Sequence, residues 1–269
     1  ANKMNILLKL AFLFYVGSTI GWLIELFYRR LVSSKKWINP GFLTGPYLPI
    51  YGFGLCILYL VSSIPIKISD NYIIQDISII ILMTVAMTAI EYVAGKIFIK
   101  ILNVKLWDYS DRWGNIESII CPLYSAMWGI VGAIYYFFIH KKIINALEWF
   151  SNNLAFSFVI GFFFGFMVVD LAHSLKLAVK LRKFAKKNII YVKFEQLKEY
   201  IREEQEKSKQ KINYLFAFKT NISLSEILSG YVKKYKNLIE TQEIKKKINE
   251  KKIKIKDRKE ENKNARKSK

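Results

Sequence analysis

Apolar residues gather in five long runs, near residues 6–31, 47–66, 73–102, 120–139 and 154–179. A helix needs about 20 such residues to cross a ~30 Å hydrocarbon core. In lipid each backbone amide must find its partner inside its own segment. The pattern therefore predicts an all-α, polytopic transmembrane helix bundle of about five spans over residues 1–180. The first run is too long for a signal-peptide core and lacks a small-residue cleavage site, so it reads as a retained span. Beyond residue 180 the runs give way to charged sequence with spaced apolar positions, including Ile190, Phe194, Leu197 and Ile201. That spacing predicts a mostly helical tail, with a capping box at Ser223–Glu226. The last ~25 residues are too charged to build a core and are expected to be disordered.

Charge sharpens this division. The chain carries a formal +21, of which residues 181–269 hold +15, from 27 basic and 12 acidic side chains. A basic appendage beside a membrane domain suggests attraction to anionic lipid. The tail has neither a zinc-finger pattern nor an aromatic-rich RNA-binding signature, so no nucleic-acid partner is expected. Lys and Arg concentrate on the cytoplasmic side of membrane proteins. The tail is thus expected in the cytoplasm, the N-terminus outside, and the protein in a bacterial cytoplasmic membrane. Arg29, Arg30, Lys35, Lys36, Lys100, Lys105 and Arg112 then share the cytoplasmic side, while the smaller set Lys3, Lys67, Lys141 and Lys142 lies outside. The weak point is Lys141–Asn153, where Ala146–Phe150 reads as a stretch able to lie flat on the outer surface.

Three runs carry a carboxylate at about the same depth (the third run holds Asp76 as well, near its other end): Glu25, Glu91 and Asp170. Each precedes a basic residue that closes its run (Arg29, Lys96 and Lys176), which puts the acids roughly 6–9 Å inside one membrane face. Ionisable groups at that depth face the bundle interior and pair or act there. Glu25 and Arg29 share a helix face, so a structural ion pair stands beside a cation-, proton- or amine-binding role. His173 lies one turn from Asp170, where a proton-passing pair and a plain hydrogen bond are the two readings.

Two segments of unusual composition fall on the same side. Asn39–Gly54 packs four Gly and three Pro among Tyr47 and Tyr51. No regular helix tolerates that density, and such backbone at membrane depth must be buried in protein or line a polar cavity. A re-entrant hairpin facing the carboxylates is the favoured reading, a surface loop ending at Pro46 the other. The second segment, Leu106–Asn115, holds Trp107, Asp108, Tyr109, Asp111, Arg112 and Asn115. Asp108 and Asp111 are weak candidates for holding Mg²⁺, and the aromatic residues suit a membrane–water boundary. Gly161-x-x-x-Gly165 reads as a helix-packing notch. Cys56 and Cys121 form no disulfide frame or zinc spacing and read as small packing residues. No phosphate-binding loop, G-x-S-x-G elbow or H-E-x-x-H helix occurs, and no cofactor is expected.

Gly21-Trp22 with Glu25 and Tyr28, Asn39 through Gly54, Glu91-Tyr92, Trp107-Asp108-Tyr109-Ser110, Asn115, Cys121-Pro122 and Trp128-Gly129 resemble a bacterial membrane-protein family. That family is described as putative ABC-transporter type IV, or CmpB-like. The resemblance covers roughly residues 10–140. It departs from the family pattern at Pro40, Ile99, Leu106 and Lys141. It implies a permease subunit. Joined to the residue-level reading, it makes the leading expectation a permease component that works with a separate ATPase subunit, with Glu25, Glu91, Asp170, His173, Asn39, Tyr47 and Tyr51 as candidates for substrate or ion binding. Two other functions stay open: a metal-dependent membrane enzyme acting on a lipid or isoprenoid phosphate, and a non-catalytic scaffold or sensor.

Overall fold

A computed structural model describes residues 5–33, 35–64, 70–188, 191–207, 218 and 222–234. The architecture is all-α. Helix α1 (Ile6–Tyr28) starts on Asn5, whose Oδ1 accepts the Leu7 N–H at 3.0 Å, and runs into a π-turn at Arg29–Ser33. After a non-helical stretch come α2 (Pro49–Ser63) and α3 (Tyr72–Ile97), the latter capped by Asn71 and extended by a π-turn at Phe98–Leu102. Helix α4 (Pro122–Ile134) continues through a third π-turn into α5 (His140–Asn152), and α6 spans Ser157–Asn188. Helix α1 packs on α2, α2 on α3, α3 on α4, and α6 lies against α1.

Four of these helical stretches are long and apolar enough to cross a membrane: Ile6–Ser33, Tyr72–Leu102, Pro122–Asn152 and Leu154–Lys187. The run near 47–66 is helical over only 15 residues, about 22 Å at the α-helical rise. Pro46, Pro49 and the flanking glycines explain the shortfall, since proline supplies no N–H and enters a helix only at its first turn. Residues 39–48 fold instead as a buried, irregular lead-in. The stretch between the fourth and fifth runs is helical too. Helix α5 turns Ile143, Leu147 and Phe150 inward and its polar face out, and Phe150 stacks on Phe12 with ring centroids 4.7 Å apart. An amphipathic helix of this kind suits an interface rather than a spanning position.

No break falls at residue 180, where the sequence analysis divides the chain. Helix α6 passes through it unbroken, and the compact unit extends to Lys219. Strand β1 (Val104–Lys105) pairs in parallel with β2 (Val192–Lys193), Val104 opposite Val192, and α7 (Phe194–Lys207) follows directly. Asn103, at φ 53°, ends the third helical stretch in the left-handed conformation that Asn tolerates better than most residues. A second unit covers 220–269. Its described part is helical over 224–234, and Ser223 Oγ accepts the Glu226 N–H at 3.3 Å, one half of the expected capping box. The extreme C-terminus, expected to be disordered, lies outside the described residues.

Where helices must touch closely, glycine makes the room. A Cβ on Gly52 of α2 would sit 2.2 Å from Ser18 Oγ and 2.8 Å from the Phe14 carbonyl of α1, and one on Gly21 would meet Tyr51 at 2.3 Å. Gly17-x-x-x-Gly21 is therefore the packing notch. Gly161 and Gly165 have nothing within 4 Å of an added Cβ, so the expected notch in α6 meets no partner within the described chain. Gly52→Ala should thus force α1 and α2 apart and cost about 1–3 kcal/mol, whereas Gly161→Ala should cost nothing and, by helix propensity, add up to about 1 kcal/mol. Thermal unfolding in detergent checks both, and equal melting temperatures would contradict the assignment.

Candidate functional site

All three intramembrane carboxylates lie toward the same end of the bundle, the end that carries residues 35–48 and 103–121. They do not share one site. Asp170 belongs to the lead-in to α2. Its oxygens accept the Thr44 N–H at 3.0 Å, the Thr44 hydroxyl at 2.5 Å, the Gly45 N–H at 2.8 Å, the Tyr47 hydroxyl at 2.8 Å and the Ser174 hydroxyl at 3.2 Å. Those donors occupy the lone pairs of a carboxylate. Asn39 works from the other side: its Oδ1 accepts the Trp22 indole N–H at 2.7 Å, and its amide donates to the Leu43 and Thr44 carbonyls. His173 does not join Asp170. It faces outward, and Ser174, a full turn on, makes the bond instead.

Glu25 and Glu91 flank Tyr51. The Tyr51 hydroxyl donates to Glu25 Oε2 at 3.2 Å, and Arg29 donates to Oε1 at 3.1 Å, so the expected i,i+4 pair is formed. The Tyr51 ring meets Trp128 edge-on, centroids 6.2 Å apart, and the Trp128 N–H donates to Glu91 Oε2 at 2.9 Å. The other oxygen of Glu91 accepts the Tyr109 hydroxyl at 2.9 Å. Glu91 is 4% exposed, and no cation pairs with it among the described residues. Two neutral donors hold a buried acid that ordinarily demands a positive partner.

The loop 103–121 exists to deliver Tyr109. Trp107 donates its indole N–H to the Ile119 carbonyl at 2.8 Å, the Tyr109 N–H bonds the Ser118 carbonyl at 2.9 Å, and Asn115 ties Ser110, Arg112 and Ser118 together. The Tyr109 ring stacks on Tyr124 at 4.3 Å. Burial first, then the neighbouring Glu91 carboxylate, pushes the Tyr109 phenol far above its ordinary value, which keeps it a proton donor. Asp108 is engaged by Lys193 at 2.9 Å and Lys105 at 3.4 Å and caps the Ser110 N–H, while Asp111 and Arg112 are exposed. No group of three or more metal-binding side chains occurs among the described residues.

Three participants escaped the sequence reading. Trp128 was legible only as part of a family string. Thr44 and Gly45 carry no residue-type signal for binding Asp170. The third is the α7 contact: Arg29 also pairs with Glu195, and Lys198 donates to the carbonyls of Asn39 at 2.9 Å and Gly41 at 2.5 Å. Lys198 is buried under the Phe194 ring, 4.7 Å from its centroid, and that burial lowers its pKa against the raising effect of Glu195. A lysine among so many in the tail gives no clue to which one is buried.

Replacing Asp170 by Ala leaves four buried donors on the lead-in without an acceptor, at a typical cost of about 1–3 kcal/mol for each one stranded. Limited proteolysis should then cut faster at Lys35 and Lys36, and Asp170→Asn, which keeps one acceptor, should fall between. At Asp108, burial would raise the carboxyl, but the Lys193 bond, the Ser110 N–H and the two lysine charges outweigh it and hold it below the usual range. A depressed folded-state value stabilises above the unfolded pKa of about 4 and is lost as pH falls through the folded one. Asp108→Asn should therefore lower the melting temperature at pH 7, and the gap to wild type should close below about pH 4.

Comparison with known proteins bears on this geometry. A family model described as "Putative ABC-transporter type IV" matches residues 12–175, which contain Glu25, Glu91 and Asp170. No curated protein and no solved structure matches the chain.

Proposed function

Because the chain belongs to the putative ABC-transporter type IV family of membrane proteins, we propose that it is a permease component of a transport system whose ATPase is a separate subunit. The observation that carries this reading is the uncompensated charge around Tyr51. Glu25 shares Arg29 with Glu195, Glu195 in turn pairs with Lys198, and Glu91 has Tyr109 and Trp128 and no cation among the described residues. With all five groups ionised, three acids face two bases, a net charge of −1 inside the bundle. Such a site takes up one cation or one proton, and a carboxylate at membrane depth is the usual place for it. Tyr51, between the two acids, is the side chain through which occupancy at Glu91 reaches Glu25. The basic residues at this end support a cytoplasmic opening and an outer N-terminus in a bacterial cytoplasmic membrane. The chain carries no phosphate-binding loop sequence of its own, so hydrolysis falls to the partner subunit.

Glu91→Gln tests the proposal, because the amide keeps the shape, can accept the Trp128 N–H and donate to the Tyr109 hydroxyl oxygen, and removes the charge. Wild-type protein in detergent, titrated with Na⁺, K⁺, tetramethylammonium and protons, should show a saturable rise in melting temperature with one of them. Glu91→Gln should reach the membrane in equal amount yet lose that response. A variant that accumulates poorly would make Glu91 structural, and a wild-type protein stabilised by none of these cations would remove the site altogether.

A further inference from the structure

Helix α6 is one unbroken helix with two unlike faces. In its C-terminal half Ser174, Ala178, Leu181 and Ala185 are buried, at 0–2% exposure, and follow the 4,3,4 spacing of a single helical stripe. The opposite stripe begins with Phe158, Phe162, Phe166 and Val169, each more than half exposed. It passes through His173 and continues as Lys176, Lys180, Lys183 and Lys187, all exposed. The same face thus changes from aromatic and aliphatic to cationic within two turns, with His173 at the midpoint. None of the four lysines pairs with a carboxylate among the described residues.

The exposed Phe and Val side chains of a long apolar helix are lipid-facing in a membrane, so the lysines continue a surface already turned to lipid. The change at His173 marks the edge of the hydrocarbon. From Lys176 to Lys187 the helix rises about 16 Å. The headgroup layer is roughly 5–8 Å deep in each leaflet. Measured from His173, Lys176 therefore lies within it at about 5 Å, Lys180 lies at its outer boundary at about 10 Å, Lys183 stands above it by about one Debye length, and Lys187 stands further out, at about 21 Å. Lys176, Lys180 and Lys183 feel the surface potential of an anionic leaflet, and Lys187 meets only its screened outer part.

The geometry points to this stripe as a binding face for the headgroups of anionic phospholipids, independent of what the site around Tyr51 transports. The continuity with the lipid-facing side chains decides for lipid over an acidic protein, which would have to meet the helix where bilayer already covers half the stripe. The test uses the full chain in detergent with equal amounts of phosphatidylglycerol and phosphatidylcholine of matched acyl chains, and native mass spectrometry of the retained lipid. Wild type should retain the anionic lipid several-fold over the zwitterionic one. The Lys176→Gln, Lys180→Gln, Lys183→Gln, Lys187→Gln variant should bring the ratio near one, and the corresponding Lys→Arg variant should keep it. Substituting Lys251, Lys252, Lys254 and Lys256 by Gln should leave the enrichment in place. Should the fourfold Gln variant fold poorly, Lys176→Gln with Lys180→Gln alone should lower the ratio by at least half. No enrichment in wild type, or enrichment untouched by these changes at α6, would overturn the proposal.

Discussion

Ten residues of irregular backbone, 39–48, lie against helices whose own amides are paired, and a single carboxylate makes that possible. Backbone N–H groups away from water must find acceptors. Asp170 supplies them for Thr44 and Gly45 and takes the hydroxyls of Thr44 and Tyr47 as well. With Asn39 satisfying two carbonyls from within, the segment acquires a single shape. That shape sets where α2 begins. The Leu48 N–H bonds the Ser18 carbonyl of α1 at 2.9 Å, and Gly17, Gly21 and Gly52 let the two helices close on each other. Tyr51 then emerges one turn into α2, level with Glu25. An acid that looks like a transport residue in the sequence is the reason that another acid has a partner.

The distinction between Asp170 and Glu91 follows from the count of donors. Asp170 meets five, Glu91 two, though Glu91 is the more buried. A carboxylate saturated by two backbone amides and three hydroxyls is fixed in position. One that holds two aromatic donors and, among the described residues, no cation keeps acceptor capacity. Depth in the membrane is the same kind of fact for both residues, so depth alone does not separate structure from chemistry.

The helical runs were legible because a hydrocarbon solvent imposes length and hydropathy on every span. So was the Glu25–Arg29 pair, whose spacing is local. The bonds that define the site were not, because they join positions far apart in the chain: Thr44 to Asp170, Tyr109 to Glu91, Glu195 to Arg29. Nearness in sequence misled at His173, which is three residues from Asp170 yet on the outer face. The notch at Gly161 misled for a related reason. Spacing shows that a helix permits close approach, and it does not show that anything approaches. The real approach, at Gly17 and Gly21, carries the same spacing.

The tail is the remaining step, because its first helix is part of the membrane unit. Lys198 reaches the carbonyls of Asn39 and Gly41, which flank the buried Pro40 in the same segment that Asp170 holds from the opposite side. Arg202 donates to the Trp37 carbonyl, and Phe194 packs on Phe42 with centroids 5.6 Å apart. Arg29 stands between the two regions, bonded to Glu25 within the bundle and to Glu195 on α7. A guanidinium forked between two acids cannot strengthen its hold on one without weakening its grip on the other. Any event that changes the charge at Glu25 is therefore felt at α7, and a partner that pulls on α7 is felt at Glu25. Under the proposed permease reading, that shared guanidinium is the direct contact through which α7 and Glu25 would communicate.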